Sequence, residues 1–197
     1  MPEFLHRISG IKVHYSLCDY LTDIVHNSLE AGADTVSVEM CESDFEIRCT
    51  IQDNGCGMSD ETLQSVMDPF YTDGKKHVHR SVGLGLPFLL QAAQACGGDA
   101  HISSVSGHGT EVSFWMKQDS VDLPPRGNIP ATVTSLFSFS QEGNIIFCHR
   151  WHSAEYTVTR KELEDTLGEL TSVDSLSCMK LYIESCEENL YKENTHG

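Results

Sequence analysis

The sequence predicts an α+β fold, and three observations predict it. A helix with a single apolar stripe opens the patterned part of the chain. Segments of strict apolar–polar alternation come after it in pairs, and glycine-rich turns sit where strands give way to helices. The helix spans Leu17 to Gly32, LCDYLTDIVHNSLEAG, with Leu17, Leu21, Ile24 and Val25 on one side and Gly32 as a left-handed stop. Asp23, Asn27 and Glu30 recur along a different edge. A solvated helix face has the same look, so the meaning of that edge depends on the segments downstream of Gly32.

Thr35 to Met40 alternates, with Val36, Val38 and Met40 on one side, and Phe45 to Asp53 repeats the pattern through Ile47, Cys49 and Ile51. Cys41 to Asp44 is short enough to make the pair a hairpin. Asp53-Asn54-Gly55-Cys56-Gly57-Met58 places two glycines directly after a strand end, where the backbone can take positive φ or approach a ligand. Ser59 caps a short helix to Met67, and Asp68-Pro69-Phe70 ends it. From Tyr71 to Val82 periodicity is lost, and Lys75, Lys76, His77, His79 and Arg80 gather in a basic loop. Gly83-Leu84-Gly85-Leu86-Pro87 then leads into a helix over Phe88 to Cys96. Glycines before a helix expose free N–H groups and the positive end of its dipole, which suits phosphate. The spacing is not that of the dinucleotide-binding GxGxxG fingerprint.

Ala100 to Val105 and Glu111 to Lys117 read as two further strands joined through Ser106-Gly107-His108-Gly109-Thr110. Prolines 124, 125 and 130 mark a boundary. The expected organisation is therefore a first domain over 1–118, a proline-rich linker over 119–130, and a small α+β unit over 131–197. In that last unit Ala131 to Phe139 and Asn144 to Arg150 are expected to form a hairpin, followed by a strand at Tyr156 to Thr159. Helices carrying Leu163 and Leu167, then Leu176, Met179, Leu181 and Ile183, precede an acidic tail.

The chain has 197 residues, enough for one good core and a small additional unit. Hydrophobic residues make up 40% and charged residues 21%, as in soluble globular proteins. No apolar run is long enough to cross a bilayer, and MPEFLHRISG lacks the pattern of a secretory signal, so a cytoplasmic location is expected. Thirteen basic against twenty-nine acidic side chains give a net charge of −16, which repels nucleic acid and anionic membranes. A phosphate ligand must then be held by local devices. The eight cysteines include no CxxC pair and are expected to be reduced and mostly buried. His77 with His79, and His149 with His152, lack partner ligands at metal-binding spacing.

Taken in order, DIVHNSLEAGAD, DNGCGM, DPFYT with GLGLP, and GHGT resemble the GHKL superfamily of Bergerat-fold ATP-binding proteins, across about Val13 to Lys117. That superfamily includes gyrase B subunits, heat-shock ATPase chaperones, mismatch-repair ATPases and sensor histidine kinases. Asn27 to Asp34 is most similar to the mismatch-repair branch, and Asp68 to Thr110 to the histidine kinases. The resemblance implies a two-layer α/β sandwich with a mixed, mainly antiparallel sheet. It implies that Asn27 coordinates Mg2+ on the triphosphate, that Asp53 accepts the adenine amine, and that Gly55, Gly57 and Met58 line the purine. Thr110 would support adenine recognition, and the segment Gly83, Leu84, Gly85, Leu86 would face the phosphates. Phe70 to Val82 would form a lid, with Lys75, Lys76 or Arg80 adding positive charge. Asp23 stands where ATPases of this superfamily usually place a glutamate that activates water. It has general-base chemistry on a side chain one methylene shorter.

Two functions are implied by that resemblance. One is a Mg-dependent ATP-binding enzyme, either a slow ATPase or a kinase acting in trans on a separate protein. The short stretch before the first helix leaves no space for a phosphoacceptor hairpin, and His6 and His14 are poor acceptors. The segment after the linker is too short for the transducer of mismatch-repair or topoisomerase subunits. The alternative is a non-catalytic module in which ATP orders the lid and a protein partner reads the result through the lid or the C-terminal unit.

Overall fold

The computed structural model describes residues 15–66, 85–139 and 143–192. The elements are α1 (Leu17–Glu30), β1 (Thr35–Glu42), β2 (Glu46–Asp53), α2 (Asp60–Val66), α3 (Gly85–Ala95), β3 (Asp99–Val105), β4 (Gly109–Lys117), α4 (Ile129–Phe139), β5 (Asn144–Trp151), β6 (Ala154–Thr159), α5 (Arg160–Leu167) and α6 (Val173–Lys192). They form one six-stranded sheet in the order β3-β4-β2-β1-β5-β6. Every neighbouring pair is antiparallel except β1 with β5, which is parallel. The α+β class is as the sequence predicts, and the mixed, mainly antiparallel sheet is as the resemblance implies.

Alternation along each strand sends one set of side chains to a single face. Ile102, Val112, Ile51, Val38, Phe147 and Val158 are register partners in turn, so one apolar row crosses all six strands. The next row runs Ala100, Phe114, Cys49, Met40, His149, Tyr156. Helices α1, α3, α4 and α6 pack over this face, contributing Leu17, Leu21, Val25, Leu89, Val133, Phe137, Met179 and Ile183 to the core. Each large apolar side chain buried there contributes roughly 1.5–3 kcal/mol. The opposite face, with Ser37, Glu39, Arg48 and Gln52, is half-buried or exposed.

The C-terminal elements expected as a small α+β unit are α4, β5, β6, α5 and α6, and their two strands extend the sheet begun by β1–β4. One expectation is corrected: 131–139 is not a hairpin strand but most of helix α4. Its β-branched threonines and valine favour a strand locally, yet Ile129, Val133, Leu136 and Phe137 fall on one helical stripe and all are buried. Asn128 accepts the Ala131 N–H through its side chain at 3.0 Å, and Pro130 sits in the first turn, where its missing N–H costs nothing.

The proline-rich segment is seated against α1. Leu17 and Cys18 N–H, which a helix leaves unpaired at its start, donate to the carbonyls of Pro125 and Arg126 at 2.9 and 3.1 Å. A reciprocal Ser16–Asp19 capping box satisfies the rest of that turn. All eight cysteines are free, but only Cys18, Cys49 and Cys96 are buried, because Cys41 and Cys148 alternate onto the open face and Cys56 and Cys178 are exposed. No helix among the described residues is long and apolar enough to cross a membrane.

Candidate functional site

One end of the sheet gathers most of the described residues singled out by sequence. Asp53 closes β2, Thr110 is the second residue of β4, Ser104 lies near the end of β3, and the C-terminal half of α1 runs beside them. Asp53 is almost fully buried, at 9% exposure, and its carboxylate accepts three hydrogen bonds. Oδ1 receives the Gly55 N–H at 2.8 Å and the Thr110 N–H at 3.2 Å, and Oδ2 receives the Ser28 hydroxyl at 2.7 Å. Two carboxylate oxygens offer about four acceptor positions. One position on Oδ2 is therefore left for a further donor.

The loop after Asp53 is fastened from both sides. Asn54 Oδ1 accepts the N–H groups of Asp34 and Thr35, each at 2.9 Å, and Cys56 N–H donates to Ala31 O at 3.0 Å. These bonds tie the loop after α1 to the end of β2. On the other flank Gly107 N–H donates to Cys56 O at 2.7 Å, while Ser104 Oγ accepts Met58 N–H at 2.8 Å and lies 2.9 Å from Thr110 Oγ1. Met58 is half-buried against the core.

The glycines have a reason within the chain itself. At Gly57, with φ +61°, a Cβ would lie 2.1 Å from Val105 O, and at Gly109, with φ +93°, 2.0 Å from Asp53 O. Both are positions where two backbones touch and the left-handed region is used, so only glycine fits. The family resemblance sets a purine against Gly57; the close neighbour in the structure is the turn between β3 and β4. Gly109 is not among the residues that the sequence singles out for the site.

Asp23 and Asn27 lie one turn apart on α1, Asn27 exposed and Asp23 half-buried. Asp23 faces the start of α3: a Cβ on Gly85 would meet its Oδ2 at 3.3 Å. Gly85 is the first residue of α3, so Gly85 and Leu86 stand inside the helix rather than before it, and the Gly85 N–H is one that has no intrahelical partner. Burial pushes the Asp23 carboxyl above its ordinary range, Asp19 adds to this, and His26 opposes it. Glu30 is exposed at the end of α1. Lys75, Lys76, Arg80, Gly83, Leu84 and the segment expected as a lid lie outside the described residues.

Sequence reasoning missed Ser28, Ser104 and the stitching role of Asn54. Ser28 had one signal: it is the neighbour of Asn27 on the side turned toward the sheet. Ser104 had none, since a serine in an alternating strand reads as an ordinary polar position.

Among the described residues no group of three or more His, Cys, Asp or Glu is arranged to hold a metal ion. The exposed Asn27 amide offers an oxygen, the donor type a hard cation takes, and a cation held there needs its remaining ligands from phosphate and water. That donor set fits magnesium delivered with a triphosphate.

The family described as "Histidine kinase-, DNA gyrase B-, and HSP90-like ATPase" matches residues 14–120. The chain is 31% identical over 110 residues to the sensor histidine kinase WalK of Bacillus subtilis (strain 168), covering 55% of this chain and 18% of that protein. It is 29% identical over 100 residues to the signal transduction histidine-protein kinase AfsQ2 of Streptomyces coelicolor, covering 50% of this chain and 19% of AfsQ2. Sporulation kinase C of Bacillus subtilis is 33% identical over 104 residues, covering 50% of this chain and 23% of the kinase. The chain thus spans about a fifth of the length of these relatives. The match takes in α1 to β4 and every residue of the site just described, and on that ground the chain belongs to the histidine kinase-, DNA gyrase B- and HSP90-like ATPase family.

Proposed function

We propose that the protein binds ATP with Mg2+ at this end of the sheet and either hydrolyses it slowly or passes its γ-phosphate to a separate protein. The observation that carries the reading is the Asp53 carboxylate, held by three donors with one acceptor position unfilled. The exocyclic amine of adenine is a donor that fills it. Gly55, Met58 and Thr110 would then border the base. Asn27 would hold magnesium through its amide oxygen, and the ion when bound would neutralise phosphate charge. The Gly85 N–H at the head of α3, with Gly83, Leu84 and Leu86, would receive the phosphates. Lys75 and Lys76 would add charge to them from the lid.

Asp23 is the group placed to accept a proton from water or from an acceptor hydroxyl. Its raised carboxyl supports this role, because a general base works best when its pKa approaches the working pH. The second reading, an ATP-gated module that binds a partner without chemistry, rests on the short reach of an aspartate. Phosphate release by wild type and Asp23→Asn tests the hydrolytic role of Asp23. A catalytic base predicts a rate lower by about 100-fold or more at unchanged ATP affinity. An equal rate in both proteins removes Asp23 as the hydrolytic base.

A further inference from the structure

Beyond the nucleotide site, the inner face of the sheet holds a charge cluster that its apolar surroundings make costly. His149 on β5 and Glu42 at the end of β1 are buried at 0% and 3% exposure, in rows otherwise filled by Met40, Cys49, Phe114, Ile47 and Met116. His149 Nε2 lies 3.0 Å from Glu42 Oε1, and Nδ1 lies 2.7 Å from Glu187 Oε1 on α6. A neutral imidazole has one N–H and one lone pair, so it can serve only one of two carboxylates. With both carboxylates ionised, two acceptors on two ring nitrogens require the imidazolium, and the bound proton closes the bridge between β1, β5 and α6.

We propose that Glu42, His149 and Glu187 form a proton-operated latch that fixes the last turns of α6 on the sheet. The groups around the cluster include the buried thiols of Cys18 on α1, on which Glu187 acts, and Cys49 on β2, on which Glu42 acts. Tyr156 on β6 donates its hydroxyl to Glu187, and Arg126, from the segment before α4, pairs with the second oxygen of Glu42, which Gln118 also approaches at 3.4 Å. Tyr191 of α6 and Tyr156 set their rings 6.2 and 6.0 Å from the imidazole, and Arg126 lies over the Tyr191 ring at 5.6 Å. Arg126 balances Glu42. With the imidazole neutral, its single N–H serves one carboxylate, and the tautomer that keeps it on Glu42 leaves Glu187 with the Tyr156 hydroxyl and a lone pair opposite. Proton exchange has a path, because Glu187 and Arg126 line an open cleft of about 280 Å3 beside the start of α4. Met179 and Ile183 anchor α6 further back, so opening is confined to the turns that carry Glu187, Leu190 and Tyr191, where it also exposes the buried Leu190.

The latch has two titrating ends. Burial alone would lower the His149 pKa, but the hydrogen bonds to Glu187 and Glu42 outweigh it and raise it above the ordinary 6.5. Its contribution is complete below 6.5 and is lost as pH rises through the raised value. Glu42 is resisted by burial, yet His149 and Arg126 hold it below the ordinary 4.5, so its contribution is lost only as pH falls through that lowered value.

The test uses the whole wild-type chain. The His149 ring is followed by NMR against pH, and amide exchange of 184–192 is measured by mass spectrometry over the same range, corrected for intrinsic base catalysis. We expect the ring to titrate above 6.5. Corrected exchange in 184–192 should rise by up to about tenfold per pH unit through that midpoint while β1 and β2 stay protected. Glu187→Gln, which leaves the imidazole one carboxylate, should move the midpoint down and remove the step. A ring that titrates at or below 6.5, or exchange in 184–192 that is flat through the midpoint, overturns the latch even if the variant fails to fold.

Discussion

Asp53→Asn should weaken ATP binding by about 100-fold or more and reverse the preference of the site for the base. An amide replaces one acceptor oxygen by a donor. With its nitrogen at the Oδ1 position, the NH2 would meet the N–H groups of both Gly55 and Thr110. With the nitrogen at Oδ2 it meets only the Ser28 hydroxyl, which can rotate to accept. The second orientation wins, and it points an N–H at the place proposed for the adenine amine. Losing a hydrogen bond to a charged group costs about 1.5–3 kcal/mol, and a donor facing a donor adds roughly 1–3 kcal/mol. Ser28→Ala is the control: it removes one support and leaves the acceptor in place, so ATP affinity should fall by about tenfold at most. Titration calorimetry reads both variants. Equal affinities for Asp53→Asn and wild type would remove Asp53 from the binding site.

Asn27→Ala should abolish the gain in ATP affinity that magnesium brings while leaving metal-free binding unchanged. The side chain is exposed, and Ala is the better helix former, so α1 and the fold are not endangered. Loss of a metal ligand should cost about tenfold or more, the scale on which even outer partners of a metal act. ATP titrations with magnesium and with EDTA measure it. A magnesium effect of wild-type size in the variant would place the ion elsewhere.

The parts of this fold that sequence reveals are those written in local periodicity. β1, β2 and β4 alternate cleanly, and α1 carries its stripe and its glycine stop. Most of helix α4 reads as a strand because Thr132, Val133 and Thr134 carry strand propensity. A local counter-signal was present in the Asn128 cap with Pro130 in the first turn, but the burial of Ile129, Val133, Leu136 and Phe137 on one stripe depends on what the helix packs against. The pairing of β5 with β1 had no local signal, since a parallel partner can lie anywhere along the chain. Here Val38 meets Phe147.

At the candidate site, the strand-end and turn positions of Asp53, Gly57 and Thr110 are legible because strand ends and turns are punctuated by residue type. Ser28 and Ser104 are not, because a single hydroxyl shows its partner only in three dimensions. His149 and Glu42 are 107 residues apart, and nothing in the spacing of either links them.

The most direct measurement of the central claim is a calorimetric titration of the wild-type protein with MgATP and, in parallel, MgGTP. Guanine presents a carbonyl oxygen where adenine presents an amine. Against a carboxylate already pinned by three donors, that oxygen is an acceptor facing an acceptor. The account predicts saturable ATP binding and GTP binding weaker by about 100-fold or more. Equal affinity for the two nucleotides, or no binding of ATP, would contradict it.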